Sequence, residues 1–306
     1  MNKFIAALLL GMAAVAGNLC AAEKPERPIP AIDRVVIISI DGLRPDRLLL
    51  ANTPVLHAMV HEGAYTFWAK TTAVSITLPS HTSMLTGVTP QKHGIEWNYD
   101  LPLREPVYPR VPTIFELAHK WGYTTAMIAG KSKFSALAKP GTLDHVFVPE
   151  KDCDTDEQVA GEAVKVILGA KPELLFVHFP VVDQMGHAHG WGSSEQLAAI
   201  ERADACVGRV VAALEQAGVK EHTLVIVTAD HGGAGKGHGA DDPRSRHIPW
   251  IATGPGVRPG DLTQFADLDV HTEDTAATAC YVLGLGQFPY FDGKPVLLAF
   301  ENALKK

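Results

Sequence analysis

Three aspartates in this sequence each follow an apolar run of strand length, and imidazoles stand close behind two of them. Asp41 closes the run at 35–40 and precedes Gly42. Asp183-Gln184-Met185-Gly186-His187 sets a carboxylate and a ring four residues apart, beyond the run at 174–179. Asp230-His231-Gly232-Gly233 follows a third run, and Gly237-His238-Gly239 comes soon after. Carboxylate oxygens and imidazole nitrogens are ligands suited to zinc, with manganese or iron as substitutes. Neighbouring glycines let the backbone turn tightly around an ion. Taken singly, each piece has an ordinary reading: an Asp after a strand caps a helix or forms a turn, and a His is a surface or core side chain. Gathered behind three strands, with an adjacent Asp-His pair, they read as a metal site.

The elements that must position them are legible as patterns. The runs at 35–40, 174–179 and 223–228 are continuously apolar rather than alternating, as strands buried on both faces are. A fourth run, 124–129, leads to Gly130-Lys131, and 247–253 reads as another buried strand. Helical patterns lie between them at 113–121, 156–168 and 194–217, the last closed by Gly218. Alternation of this kind predicts an α/β architecture with right-handed crossovers. In such sheets ligands gather outside the carboxyl ends of the strands, which is where these acids fall.

The chain has 306 residues, 46% hydrophobic and 20% charged, which fits one sizeable core. Its formal charge of -7 argues against a nucleic-acid scaffold, which needs a basic stripe, but not against a phosphorylated substrate, because bound cations invert the local field. Residues 1–22, with Lys3 and a short apolar run, read as a secretory signal, so the protein is expected to be exported, periplasmic or secreted. Cys20 follows the bulky Leu19, which argues against a lipid anchor, and no other stretch is a transmembrane candidate. Residues 23–32 form a Pro-rich linker and 33–306 a single catalytic domain. Cys153, Cys206 and Cys280 would remain, enough for one bridge and one odd thiol in an oxidising compartment.

Several segments carry a family likeness: Val35-Val36-Ile37-Ile38-Ser39-Ile40-Asp41-Gly42, Thr77-Leu78-Pro79-Ser80-His81, Thr86-Gly87, His93-Gly94-Ile95, Asp183 to His187, Asp230-His231-Gly232 and His238-Gly239. Together they resemble the nucleotide pyrophosphatase/phosphodiesterase branch of the alkaline phosphatase superfamily, in family order from about residue 33 to 256. Asp274-Thr275-Ala276-Ala277-Thr278 and Gly293-Lys294-Pro295 are similar to the family's closing segment. The resemblance implies an alkaline-phosphatase-like three-layer sandwich, its central sheet mostly parallel with helices on both faces. It implies two divalent ions, Zn2+ first, with Mn2+ or Fe as alternatives. Asp41, Thr77, Asp230 and His231 would hold one; Asp183, His187 and His238 the other. His189 and His247 compete for the last position, where His238 is preferred for its Gly-His-Gly setting.

The resemblance also makes Thr77 the nucleophile. A free threonine hydroxyl is too weakly acidic to attack phosphorus near neutral pH, and a metal at Thr77 would lower its pKa. Two ions roughly 4 Å apart would stabilise the entering and leaving oxygens. The predicted course is a phosphothreonine, then its hydrolysis. Pro79 reads as a helix start, and a helix N-terminus favours an anionic phosphate. Asn98 resembles the family asparagine that donates to a phosphoryl oxygen, with a turn-forming role as its alternative. Lys131 could supply a point charge to a small phosphorylated substrate, or be a solvated surface lysine.

Diester or pyrophosphate cleavage is the first expectation and phosphomonoester cleavage the second. Family diesterases that bind nucleotides tend to have an aromatic residue after the nucleophile; Leu78 stands there, which weakens the case for base stacking. A sulfatase would need Cys/Ser-x-Pro-x-Arg where this chain has Thr77-Leu78-Pro79-Ser80-His81. A metal-binding surface module without chemistry is the non-enzymatic reading, opposed by the full set of ligands and nucleophile.

Overall fold

A computed structural model of the chain describes residues 24–99 and 107–301; the expected signal at 1–22 lies outside the described residues. In chain order the strands are β1 (Arg34–Ile40), β2 (Ala64–Lys70), β3 (Thr125–Ala129), β4 (His145–Phe147), β5 (Leu174–Phe179), β6 (Thr223–Thr228), β7 (His247–Thr253) and β8 (Gly260–Asp261). They form one 8-stranded sheet in the order β4-β3-β5-β1-β6-β7-β2-β8. Every pairing is parallel except those of β7, which runs antiparallel to both neighbours.

The central strands β5 and β6 are buried at every position, and β1 at all but its first. Only a sheet covered on both sides tolerates such runs. Two groups of helices supply the cover. Pro54–Glu62, Asp156–Ala170, Val181–His189 and Ser194–Gln216 pack among themselves, as do Thr77–Thr86, Ile114–Lys120 and Asp274–Val282. This is the three-layer, alkaline-phosphatase-like arrangement. A capping box closes the start of Ile114–Lys120, where the Thr113 hydroxyl accepts from the Glu116 backbone and the Glu116 carboxylate from that of Thr113. The Ser193 hydroxyl likewise accepts from the Gln196 backbone at the head of the long helix.

Register does the positioning. Ile40 pairs with Phe179, Ser39 with both His178 and Thr228, and Ala129 with His178. The carboxyl ends of β3, β5, β1 and β6 therefore finish side by side, and Lys131, Asp41 and Asp230 leave them at one level.

Two sequence expectations change in detail. The Pro-rich stretch before β1 is packed onto the domain, with Ile29 and Ile32 buried in the core. Among the described residues there is no disulfide: Cys153, Cys206 and Cys280 are each buried and free. In this setting a thiol serves as a small apolar side chain.

Asp156 opens the helix Asp156–Ala170. Its Oδ1 accepts from the Val181 backbone at 3.1 Å, while its buried Oδ2 has no partner. Burial pushes its pKa up to about 7. The folded chain thus holds this proton more tightly than the unfolded chain, whose carboxyl titrates near ~4. Stability from this residue is lost as pH rises from about 4 to about 7. Asp156→Asn, which keeps an oxygen for Val181, should therefore melt progressively later relative to the parent as pH is raised from 4 to 8. The relative gain should be on the order of 2–4 kcal/mol, read as melting temperatures at the two pH values.

Candidate active site

At the end of β1, Asp41 is fully buried, and Asp230 sits beside it just beyond β6. The segment after β5 is a helix, Val181–His189, with Asp183 in its first turn. His187 follows one turn later on the same face, its Nε2 3.3 Å from Asp183 Oδ1. The His231 Nε2 lies 3.2 Å from Asp230 Oδ2 and 3.4 Å from Asp41 Oδ1. His238 reaches the cluster from its own loop, its Nε2 3.6 Å from Asp183 Oδ1 and 3.1 Å from His187 Nε2. The His231 and His238 rings stack at a centroid distance of 3.7 Å.

The orientation of the three rings is set from behind. Each ring's Nδ1 donates to a backbone carbonyl: His187 to Lys236 at 3.0 Å, His231 to Gly232 at 2.8 Å and His238 to Ser75 at 2.8 Å. That fixes the proton on Nδ1 and turns each Nε2 lone pair toward the acids, as the outer partners of metal-bound histidines do. Burial, and next the adjacent His238, hold the His231 pKa down to about 4, so its ring is neutral.

The acids carry the complementary signature. Asp41 Oδ1, Asp183 Oδ1 and Asp230 Oδ2 are buried with no hydrogen-bond partner. Buried polar atoms are ordinarily paired, so three orphans in one cluster need a positive centre. Asp41, Asp230 and His231 converge as one donor group, and Asp183, His231 and His238 as another. Burial raises Asp41, but the Lys131 ammonium and the His178 hydrogen bond outweigh it and hold the carboxyl well below the usual range. Asp230 moves the other way, raised first by burial and then by the charge on Asp41. The donor set, hard carboxylate oxygens with neutral imidazoles, fits divalent ions of the zinc type.

Thr77 is the first residue of the helix Thr77–Thr86, which is buried throughout. Its Oγ1 lies 3.4 Å from His231 Nε2 and it lines a cavity of about 530 Å³ together with Asn98, Lys131, Lys133, Asp183, His187 and His238. Asn98 Oδ1 accepts from the Leu78 backbone at 2.9 Å, which leaves its amide NH2 as the donating group. Lys131 is buried rather than solvated, its Nζ 2.8 Å from Asp41 Oδ2 and 2.6 Å from Asp183 Oδ2. Burial would lower its pKa, but these carboxylates raise it and keep the ammonium charged. Its charge is thereby committed to the acids. The competing histidines lie elsewhere: His189 is near Glu195, and His247 packs edge-on to Trp68.

Three residues of the site have core-like types and were not singled out by sequence reasoning. His178, inside β5, accepts from the Gly130 backbone at Nδ1 and donates from Nε2 to Asp41 Oδ2 at 2.9 Å. His81 donates from Nδ1 to the Thr77 carbonyl and accepts from Ser39 Oγ at Nε2, both at 2.8 Å. Burial lowers both rings' pKa, which matches these neutral tautomers. Trp191 lies against the same loops. The available signal was a histidine interrupting a wholly apolar strand.

The family model for Type I phosphodiesterase / nucleotide pyrophosphatase matches residues 35–236. The chain belongs to that family. A Sulfatase model matches residues 193–285 of the same phosphodiesterase-family chain. An uncharacterized pyrophosphatase/phosphodiesterase of Schizosaccharomyces pombe is 26% identical over 232 residues, 65% of this chain and 44% of the relative. The bis(5'-adenosyl)-triphosphatase of Homo sapiens is 24% identical over 214 residues, 65% of this chain and 47% of that protein. The chain thus spans less than half the length of these relatives.

Among solved structures, murine ectonucleotide pyrophosphatase/phosphodiesterase 5, in an inactive Thr-to-Ala form in complex with AMP, matches at a TM-score of 0.71 and 15% identity. The match covers 87% of this chain and 98% of that one. A putative sulfatase from Bacteroides thetaiotaomicron matches at 0.68 and 17% identity, covering 90% of this chain and 74% of the other. These neighbours share the fold.

If His187 and His238 each give one nitrogen donor to a tetrahedral-type site, replacing either by Ala should lower the zinc bound per chain by about one ion. The same change at His189 or His247 should leave the content as in the parent. Elemental analysis of dialysed protein distinguishes the two groups.

Proposed function

We propose that residues 33–306 form a catalytic domain that cleaves phosphodiester or pyrophosphate bonds through a phosphothreonine on Thr77, with two divalent ions, zinc first. The observation that carries this reading is the convergence of three imidazole Nε2 atoms on three buried, orphaned carboxylate oxygens beside the Thr77 hydroxyl. Family membership supplies the reaction class. Asp41, Thr77, Asp230 and His231 would hold one ion, and Asp183, His187 and His238 the other. When bound, the ions lower the hydroxyl's pKa and neutralise the non-bridging phosphoryl oxygens.

The chain's own groups do the rest. Thr77 presents its hydroxyl at a helix start, where the helix dipole favours an anionic phosphate. The Asn98 amide, anchored by Leu78, donates to a phosphoryl oxygen as charge develops there. Lys131 offsets part of the charge of Asp41 and Asp183. His81 and His178 hold the Thr77 carbonyl and Asp41 in place. The inactive Thr-to-Ala form of the murine neighbour supports a threonine as the reacting group, and its AMP supports a small phosphorylated substrate.

The cavity wall has no aromatic side chain among the described residues, and Leu78 is buried. Lys133, whose Nζ lies 3.1 Å from the Asn98 carbonyl, adds positive charge at the cavity. This favours a second reading, cleavage of doubly charged phosphate monoesters. No helix among the described residues is long and apolar enough to cross a membrane.

Zinc-replete protein assayed on bis-p-nitrophenyl phosphate, p-nitrophenyl phosphate, a nucleotide pyrophosphate and a sulfate ester should turn over the diester or the pyrophosphate fastest. Chelation should abolish the activity and zinc restore it. Thr77→Ala should lose on the order of a thousandfold or more in kcat, and Asn98→Ala about a hundredfold. A sulfate ester turned over fastest, or a Thr77→Ala variant as active as the parent, would overturn the proposal.

A further inference from the structure

Trp191 follows the helix that carries Asp183 and His187, and it is 8% exposed. Three glycines press against its indole, and each belongs to a different ligand-bearing segment. Gly42 follows Asp41, Gly186 precedes His187, and Gly233 lies two residues beyond His231. A methyl group built on Gly186 would lie 2.8 Å from the indole Cδ2 and Cε2, and one on Gly233 only 2.4 and 2.3 Å from the same two atoms. One on Gly42 would meet the ring at 3.3 Å, after Asp183 itself at 3.0 Å. No side chain fits at the first two contacts, so the backbone rests directly on the ring.

Hydrogen bonds tie the same group together. Trp191 Nε1 donates to the Gly42 carbonyl at 2.9 Å, and the Trp191 backbone donates to Gly235 at 2.7 Å, in the loop leading to His238. The indole also meets the rings of both histidines edge-on, at centroid distances of 5.2 Å for His187 and 5.9 Å for His238. One rigid plane thus contacts backbone from both donor groups.

We infer that Trp191 is a positioning residue whose indole sets the separation of the two ion sites, a role that rests on the two-ion reading above. Gly42 and Gly233 flank ligands of one ion, and Gly186 a ligand of the other. The thickness of the ring and its bond to Gly42 fix the distance between them. Glycine at 186 and 233 follows from this: the segments must approach the ring more closely than any Cβ permits.

Isothermal titration of zinc into metal-free protein tests the assignment, with Trp191→Leu and Trp191→Phe beside the parent. The parent should bind two ions. Trp191→Leu should bind at least one of them about ten- to a hundredfold more weakly, the usual effect of losing an outer partner. Trp191→Phe, which keeps a flat ring but not the Nε1 donor, should fall between. Melting curves without metal separate positioning from general support, because a merely structural residue would lower the melting temperature and leave ion affinity unchanged. Should Trp191→Leu fail to fold, Trp191→Phe carries the comparison. Parent-like affinity for both ions in the folded variants would overturn the role of Trp191 while leaving the function proposal standing. A parent that binds no zinc would overturn the two-ion reading beneath it.

Discussion

Buried carboxylates and imidazoles crowded into one cluster are the constraint from which the rest of this structure follows. Two histidine Nε2 atoms stand 3.1 Å apart, and each ring donates from Nδ1 to a backbone carbonyl. Beside them lie three buried carboxylates, of which Asp41 and Asp183 pair with the Lys131 ammonium. Lone pairs and negative charge at this density repel in a low-dielectric interior. The proposed pair of divalent ions would remove the conflict. The fold is organised to keep the donors together in spite of it.

That organisation begins with strand register. Neighbouring parallel strands end level, so residues just past their ends meet whatever their distance along the chain. The wholly buried helix Thr77–Thr86 then brings a hydroxyl to the cluster. Its position is fixed by His81, which spans from the Thr77 carbonyl to Ser39 on the central strand. Buried imidazoles recur here as struts: His81 behind Thr77, His178 behind Asp41. Each satisfies both ring nitrogens within the protein, and burial lowers the pKa of both rings.

The legible part of this arrangement was the part written in repeated patterns. Continuous apolar runs marked β1, β5, β6 and β7, and the acids behind three of them marked the site. The edge was harder to read. Residues 64–70 read Ala-Tyr-Thr-Phe-Trp-Ala-Lys, a mixed pattern broken by a bulge, and β2 is held by its pairing with β7 and β8. The reversed direction of β7 is a property of pairing that no local signal carries. Asp183 and His187 lie on a helix although Gly186 stands between them, because that glycine serves the contact with Trp191 rather than a turn. His178 and Trp191 escaped notice for the same reason: in one dimension a buried strut and a core residue look alike. Lys131 was visible, but its burial between two carboxylates depends on the level ending of β3 beside β5.

X-ray diffraction from crystals of the zinc-replete protein, recorded on both sides of the zinc absorption edge, tests the central claim most directly. The account predicts two anomalous peaks within the cluster, one bounded by Asp41, Asp230, His231 and Thr77, the other by Asp183, His187 and His238. A cluster without anomalous density, or zinc held instead at His189 or His247, would contradict it.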